Sequence, residues 1–335
     1  MDMASEGLER GERAPDFVLP GADGEPSRFY ATAGGRPGAL VFADGPPPDG
    51  LGSLRTELDA AGVALFAVTG QPAPDAPSFA HWVDAEGKVT RSYRLAPAGA
   101  APRVVVLDAN VRVLGSFETA DPATAADQVT RLLPPVEAEA AEVRAQAPVL
   151  LVPNALGADW CARLMDVWER DGNVETGVER TVAGRRGEGV SPAAKRRRDH
   201  TVTDPQLLRD LSSAVGRRVM PEVAKAFAFR ATRFEGFKIG CYDASSGGFF
   251  RAHRDNLSPT TAHRRFALTL NLNDTYRGGQ LRFPEYGPQR YRPDAGAALV
   301  FSCSHLHEVC DVEEGRRFVL LSFLFSDADV RRGAT

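Results

Sequence analysis

The feature that most constrains this chain is a His-x-Asp pair followed far downstream by another histidine. His253 and Asp255 are two residues apart, and His307 lies well beyond them. In a β-strand, residues i and i+2 point to the same face, so a strand or its end can present His253 and Asp255 to one metal ion. The chain must then fold so that His307 returns to this pair. Two imidazoles and one carboxylate on one side of a metal leave open positions, which suits a non-heme Fe(II) that activates O2.

The residues between and after these candidate ligands are typical of a barrel of short strands. Apolar or half-alternating stretches cover residues 265–273, 297–301 and 318–325, with Gly and Pro between them. Short strands with this punctuation favour a jelly-roll barrel. The other four histidines are interpreted as surface or packing residues: His81, His200, His263 and His305.

Several motifs follow one another in a specific order through the second half of the chain. They are Tyr242 before Gly247-Gly248-Phe249-Phe250, His253-x-Asp255, Leu272-Asn273, Tyr276-x-Gly278-Gly279-x-Leu281-x-Phe283, His307-x-Val309 and Gly315-x-Arg317. Over roughly residues 148–327 the chain resembles the Fe(II)/2-oxoglutarate-dependent dioxygenases, specifically the prolyl-4-hydroxylase-like group. The resemblance implies a double-stranded β-helix (jelly-roll) with flanking helices.

The resemblance also implies roles for particular side chains. His253, Asp255 and His307 would ligate iron, and Arg317 would pair with the distal carboxylate of the cosubstrate 2-oxoglutarate. Tyr242 resembles the tyrosine with which this family hydrogen-bonds the cosubstrate. Two more candidates to line the pocket share a strand face by alternation, Thr269 and Asn271, although Thr269 also fits a plain ladder position.

The assignment of Arg317 has a rival in its neighbour Arg316. A guanidinium binds a carboxylate bidentately, so one fixed arginine suits a dianionic cosubstrate. Alternation places Arg317 on one strand face with Val319, and Arg316 on the other with Phe318. Alternation does not say which face points inward, and the spacing of the family favours Arg317. A surface arginine pair at the start of a strand is the alternative.

The activity implied by the resemblance is hydroxylation of an unactivated C–H bond with Fe(II), 2-oxoglutarate and O2, releasing succinate and CO2, with ascorbate as a candidate reductant. The substrate is expected to be a prolyl or amino-acid-like group of a peptide or protein, or a small molecule. An intact Asp255 favours hydroxylation over halogenation, while desaturation and demethylation stay open. A zinc hydrolase would need Glu308 as its base, but that side chain should point away from the His307 face. A non-catalytic sensor of oxygen or 2-oxoglutarate, or a partner-docking protein, is the alternative of another class.

The front half alternates apolar strands with helices, which predicts a mixed α/β sheet. Strands are expected at 38–43, 63–68 and 104–108, and helices at 51–61 and from Asp121 to Leu133. The opening Ala-Pro-Asp-Phe-x-Leu motif resembles the peroxiredoxin branch of the thioredoxin fold over residues 9–133. That family places its peroxidatic cysteine after the strand at 38–43, but the first cysteine of this chain is Cys161. A thiolate is essential to that chemistry, so this domain is interpreted as inactive and suited to docking, dimerisation or substrate capping.

The expected organisation is therefore a degenerate peroxiredoxin/thioredoxin-like domain (1–135), a helical linker (136–147) and a dioxygenase domain (148–328). Residues 1–147 carry 12 Lys and Arg against 21 Asp and Glu, and the remainder carries 28 against 23. This split fits an acidic domain docked on a basic one, a basic catalytic face, or two solvated surfaces. The basic segment 184–200 is interpreted as a mobile lid with substrate-facing cations or as a solvated loop. It is short and has no interleaved aromatics, so no nucleic-acid partner is expected.

The composition favours a cytoplasmic protein without a membrane partner. No apolar run approaches the ~18 residues that a membrane span needs. The acidic stretch from Met1 to Arg13 lacks the hydrophobic core of a signal peptide. The cysteines are expected to be reduced and buried: Cys161, Cys241, Cys303 and Cys310. The sequence leaves the oligomeric state and the identity of the substrate open.

Overall fold

The structure, a computed structural model, describes residues 7–95, 101–135, 143, 146–182, 185–189 and 191–332. It divides into two compact units, residues 1–140 and 141–335. Each unit has a hydrophobic core of its own. The predicted helical linker, residues 136–147, lies largely outside the described residues.

The first unit contains seven strands and four α-helices within the described residues. In chain order they are β1 (Val18–Pro20), β2 (Pro26–Arg28), α1 (Phe29–Thr32), β3 (Gly38–Ala43), α2 (Leu51–Ala60), β4 (Ala64–Thr69), β5 (Ala80–Val83), α3 (Lys88–Ser92), β6 (Arg103–Leu107), β7 (Val113–Glu118) and α4 (Ala126–Leu132).

These elements form the predicted mixed sheet, with strand order β5-β4-β3-β6-β7. Strands β3, β4 and β5 run parallel, whereas β6 and β7 are antiparallel to their neighbours. All six residues of β4 are buried, which explains its unbroken apolar sequence, because a parallel strand with both faces covered does not alternate. Separate apolar clusters contain alternate residues of the sheet, one around Phe29 and Trp82 and the other around Leu54 and Leu58.

One predicted helix of this unit differs in detail. The sequence predicts a helix that begins at Asp121 and continues to Leu133. A short 3-10 helix, Pro122–Thr124, comes first, and α4 begins only at Ala126. The Asp121 side chain accepts a hydrogen bond from the backbone N–H of Ala123, so it caps the 3-10 turn as an N-cap residue.

The second unit is richer in strands. Its elements are β8 (Val149–Val152), α5 (Ala158–Arg170), β9 (Val174–Glu175), β10 (Val178–Val182), β11 (Arg185–Gly189), β12 (Lys195–Arg196), β13 (Arg198–Thr201), α6 (Pro205–Phe227), β14 (Arg233–Phe234), β15 (Lys238–Asp243), β16 (Phe249–His253), β17 (Phe266–Asn271), β18 (Tyr276–Gly278), β19 (Leu281–Arg282), β20 (Arg290–Tyr291), β21 (Ala298–Ser302), β22 (His307–Val309), β23 (Val312–Phe325) and α7 (Asp327–Arg332).

Two antiparallel sheets dominate this unit. The larger runs β8-β21-β17-β23-β15-β13-β9, and the smaller runs β12-β16-β22-β19-β20. Side chains from both sheets, including Val319 of β23 and Val309 of β22, share one buried apolar cluster, which we call the inner core. Alternate residues of β23, such as Leu320 and Leu324, join a second cluster with helices α5 and α6. The larger sheet is therefore apolar on both faces.

The two long helices follow from their sequences. In α5 the residues at helical spacing, Cys161, Leu164 and Trp168, are buried. Helix α6 begins after Asp204, which accepts from the backbone N–H of Leu207, and has proline in its first turn. Among the described residues, no helix is both long and apolar enough to cross a membrane.

Candidate metal centre

Three side chains that are distant in sequence converge in the second unit. One ligand atom each from His253, Asp255 and His307 lies within 4.8 Å of the other two. His307 is buried, and His253 and Asp255 are partly buried. The three predicted ligands therefore form one cluster at the edge of the inner core.

Strand pairing explains the convergence of the two histidines. Strands β16 and β22 are antiparallel, and His253 and His307 face each other directly, with ring centroids 4.3 Å apart. The register shifts between Phe250 and His253, and such a bulge re-aims the side chains that follow it. Asp255 lies just beyond β16, where its backbone N–H donates to the carbonyl oxygen of Cys303 at 3.0 Å.

The hydrogen bonds of the imidazoles fix their tautomers. His253 Nδ1 is 2.8 Å from the carbonyl oxygen of Arg251, and His307 Nδ1 is 3.1 Å from that of His305. A carbonyl oxygen only accepts, so each Nδ1 must carry the hydrogen and each neutral ring presents a lone pair at Nε2. Backbone partners at the second ring nitrogen are the usual way in which a ligating histidine is oriented.

The histidine Nε2 atoms and the Asp255 oxygens that face one another are all hydrogen-bond acceptors. His253 Nε2 is 3.4 Å from Asp255 Oδ1, and His307 Nε2 is 3.4 Å from Asp255 Oδ2. Burial lowers the pKa of His307 to about 4, which keeps its ring neutral at physiological pH. Two imidazole lone pairs and a carboxylate pointing at one point fit a divalent cation.

Arg317 lies on the inner face of β23. It is 2% exposed, and its Nη2 donates to Asn271 Oδ1 at 3.0 Å. Its Nε is buried and has no hydrogen-bond partner among the described residues. Arg316 points the other way, is exposed and pairs with Glu169 at 2.6 Å. The structure therefore shows which face of β23 points inward, a choice that alternation alone left open. The buried Arg317 keeps one N–H donor, Nε, without a partner among the described residues.

The other predicted pocket residues lie beside Arg317. Tyr242 of β15 is directly paired with it across the sheet, and the guanidinium carbon is 5.6 Å from the phenol ring centroid. The Asn271 amide nitrogen donates to the Tyr276 hydroxyl and to the Pro293 carbonyl, so its oxygen faces Arg317. Thr269 is buried on the same side of β17, two residues from Asn271. Asn271 therefore orients the arginine.

The basic segment is not the solvated loop that the sequence suggested. Lys195–Arg196 form β12, which pairs with β16 of the smaller sheet, and Arg198–Thr201 form β13, which pairs with β15 of the larger sheet. The side chains of Lys195 and Asp199 are buried. Arg197 lies where the chain passes from one sheet to the other. The interpretation of 184–200 as a solvated loop is wrong for residues 195–200, which lie in or between paired strands. Its interpretation as a mobile lid stays a prediction, and residues 184 and 190 lie outside the described ones.

The sequence did not predict that this segment contacts the side chains around the candidate metal centre. The Arg197 guanidinium carbon is 5.5 Å from the Tyr242 ring centroid and 5.9 Å from that of Phe250. The Phe250 ring in turn stacks on the His253 imidazole at 3.6 Å between centroids. A continuous series of contacts thus connects Arg317, through Tyr242 and Arg197, to a candidate metal ligand. The signal was present in the alternation of Lys195, Arg197 and Asp199, which places an acid on the same strand face as two bases.

Glu308 does not face the cluster. Its Oε1 lies 2.7 Å from Arg282 Nε in a partly buried ion pair. A carboxylate held in this way on the outward side of β22 is not placed to act as a base at the three ligands, as the sequence predicts.

Comparison with known proteins finds a family match within the second unit. Residues 237–325 match the 2OG-Fe(II) oxygenase superfamily. A PKHD-type hydroxylase of Synechococcus sp. (strain JA-2-3B'a(2-13)) is 32% identical over 95 residues, which are 26% of this chain and 42% of the relative. A PKHD-type hydroxylase of Pseudomonas putida (strain KT2440) is 27% identical over 199 residues, 55% of this chain and 80% of the relative. The chain spans between a third and a half of the length of the first of these relatives and of a Prochlorococcus marinus homologue.

Solved structures align with parts of this chain. A Pseudomonas putida prolyl-4-hydroxylase aligns with a TM-score of 0.40 at 17% identity, over 54% of this chain and 93% of its own. The peroxidoxin BcpB of Mycobacterium tuberculosis aligns with a TM-score of 0.32 at 17% identity, over 37% of this chain and 96% of its own. By sequence, residues 237–325 are thus similar to the 2OG-Fe(II) oxygenase superfamily, and the relatives named above are PKHD-type hydroxylases.

Proposed function

We propose that this protein is an Fe(II)- and 2-oxoglutarate-dependent oxygenase that hydroxylates an unactivated C–H bond, with release of succinate and CO2. Its substrate would be a prolyl or amino-acid-like group in a peptide or protein, or a small molecule. His253, Asp255 and His307 would hold the iron, and Arg317 would hold the distal carboxylate of 2-oxoglutarate. In this proposal the second unit is a double-stranded β-helix.

One observation carries the proposal. One ligand atom each from two histidines and an aspartate converges within 4.8 Å of the others, and a buried arginine whose Nε has no partner among the described residues lies on the inner face of the adjoining sheet. A buried guanidinium without an anionic partner is costly, so its presence points to an anion that binds there. A sensor protein could use the same ligands, and turnover distinguishes it from an enzyme.

The side chains around the cluster bind, orient and exclude water. The backbone carbonyls of Arg251 and His305 hold the two imidazoles with Nε2 directed at the metal position. The Phe301 ring lies 4.5 Å from that of His307 and keeps one side of the site apolar. Asn271 holds Arg317 so that its remaining donors stay available for a carboxylate. Bound iron would supply the activation of O2 and the oxidative decarboxylation of the keto acid.

For the first unit we propose a thioredoxin-like domain without peroxidase activity, with domain boundaries near residues 135 and 148. Its sheet has three parallel strands followed by two antiparallel ones, with α2 directly after β3. The segment between β3 and α2 contains no cysteine. A docking, dimerisation or substrate-capping role remains part of this proposal.

Succinate formation tests the proposal. The full chain with Fe(II), 2-oxoglutarate and O2 should release succinate, and a prolyl peptide that acts as substrate should raise the rate. His307→Ala should abolish this release because the iron loses a ligand. His200→Ala is the matched control, since that partly buried histidine lies in β13 and its ring hydrogen-bonds only the Gly172 carbonyl among the described residues. Equal succinate release by His307→Ala would refute the assignment, and binding of 2-oxoglutarate without any succinate would favour the sensor.

A further inference from the structure

A buried group of polar side chains lies behind Tyr242, on the chain segment that passes between the two sheets. Arg197 donates from Nε and Nη2 to the two oxygens of Asp199, at 2.6 and 2.8 Å. Its third nitrogen, Nη1, donates to the Tyr242 hydroxyl oxygen at 3.1 Å. The guanidinium fork is therefore shared between an acid and a phenol.

The surroundings hold the ion pair in place. Thr176 donates to Asp199, and Lys195 donates to Thr176. Asp199 is paired across the sheet with Gly240, and a Cβ at Gly240 would come within 3.0 Å of Asp199 Oδ1 and 3.1 Å of Arg197 Cδ. Glycine is thus the residue that leaves room for the pair. Although burial alone would raise the pKa of Asp199, Arg197 lowers it, so the acid stays charged.

The direction of the Arg197 hydrogen bond constrains the phenol. A guanidinium can only donate, so the Tyr242 oxygen accepts and its own hydrogen must point elsewhere. Among the described residues, no acceptor receives that hydrogen. Tyr242 and Arg317 are paired directly across the sheet and both are 2% exposed. The phenol hydrogen and Arg317 Nε are thus two unused donors at paired positions, which suits an anionic ligand.

We propose that Arg197 is a positioning residue: by occupying the Tyr242 oxygen it obliges the hydroxyl to donate to the 2-oxoglutarate carboxylate that Arg317 binds. This inference rests on the proposed function. It gives the basic segment a part in binding the cosubstrate, in which Arg197 acts on the ligand only through Tyr242. Arg198 has no such part, since it points outward and donates to Asn173.

The test is a double-mutant cycle on 2-oxoglutarate binding to the full chain loaded with Mn(II), measured by calorimetry. Arg197→Lys keeps a charge for Asp199, but a lysine has no fork with which to reach both partners. Tyr242→Phe and Arg197→Lys should each weaken binding by about ten-fold, the effect of one lost hydrogen bond to a charged group. The double variant should be no weaker than Tyr242→Phe, because Arg197 acts through the hydroxyl. All of these variants should bind Mn(II) with wild-type affinity. Arg198→Met, the control, should also bind 2-oxoglutarate as the wild type does.

Other outcomes overturn the inference. Wild-type binding by Arg197→Lys or by Tyr242→Phe would do so, as would additive losses in the double variant. If wild-type protein binds Mn(II) but not 2-oxoglutarate, the proposed function fails and takes this inference with it. If the Arg197→Lys variant does not bind Mn(II), the double substitution Arg197→Met/Asp199→Asn is tested in its place, because it removes both charges together. The expected result is the same.

Discussion

Arg316 and Arg317 are adjacent in sequence and lie in opposite environments. Arg317 is buried against Asn271, whereas Arg316 is exposed and paired with Glu169. Alternation along β23 predicted that the two would face opposite ways but not which one faces inward. That choice depends on which strand face meets the other sheet, which is a non-local property. The part of Asn271 in orienting Arg317 was unpredictable for the same reason, since it depends on the register between β17 and β23.

Replacing each arginine in turn tests the cosubstrate assignment. Arg317→Ala should weaken the apparent affinity for 2-oxoglutarate by roughly 10- to 150-fold, because it removes charge-assisted hydrogen bonds to a carboxylate. The affinity for Fe(II) should be unchanged. Arg316→Ala is the control and should behave like the wild type. The measurement is the 2-oxoglutarate dependence of succinate release, and equal effects of the two substitutions would show that the buried arginine does not bind the cosubstrate.

Lys195 should make the stability of the protein depend on pH. Burial lowers its pKa from the ordinary 10.5 to about 7, with repulsion from Arg197 and Lys238 adding to the shift and Asp199 opposing it. Between pH 7 and pH 10 the unfolded chain therefore binds more protons at this position than the folded one. The stability contributed by this group must rise with pH in that range.

Thermal melting from pH 7 to pH 9.5 checks this expectation. The transition of the wild type should shift upward relative to that of Lys195→Met as pH rises, because methionine has no proton to lose. Arg196→Met, a neighbouring exposed cation, should keep the wild-type trend. The same change of melting temperature with pH in the wild type and in Lys195→Met would contradict the lowered pKa of the buried lysine.

At the scale of elements, the tight junction between β18 and β23 depends on glycine. Gly278 has φ +78°, and a Cβ there would lie 2.3 Å from the Asp311 carbonyl oxygen. Most predicted strands are present, but the sequence did not predict that β23 extends back to Val312. Strand β18, Tyr276–Gly278, pairs with this extension. Within the extended strand Gly315 has φ +71°, a conformation that strand propensities do not predict.

Gly278→Ala should therefore destabilise the second unit more than a positive φ alone would. Gly236→Ala is the matched control, because Gly236 has φ +90° but no atom within 4 Å of an added Cβ. The control should lose about 1–2 kcal/mol, the cost of the left-handed conformation, and Gly278→Ala clearly more. The comparison is made by urea unfolding followed by near-UV circular dichroism. Equal losses would mean that the junction can open to admit a methyl group.

For the whole molecule, the two units differ in their content of thiols. The four cysteines lie in the second unit and are free, and burial raises the pKa of each thiol, to about 11 for Cys161 and about 12 for Cys241. The absence of cysteine before Cys161 is read directly from the sequence. The sequence did not predict the bridge that 195–201 makes between two sheets, which pairs residues far apart in sequence.

A chromogenic disulfide should accordingly react slowly with the native protein at pH 7.5. Cys310 is the only one of the four that is not fully buried, so it should account for the early reaction, and Cys310→Ser should remove it. In denaturant all four thiols should react at once. Rapid reaction of two or more thiols in the native protein would contradict the burial described for them.

The most direct test of the account is an anaerobic calorimetric titration of Fe(II) into the full chain. The geometry of His253, Asp255 and His307 predicts one site per chain. Asp255→Ala should weaken that site by more than about 100-fold, since loss of even an outer partner of a metal ligand costs 10- to 100-fold. His200→Ala should bind as the wild type does. Unchanged Fe(II) binding by Asp255→Ala would show that these three side chains do not form the metal centre.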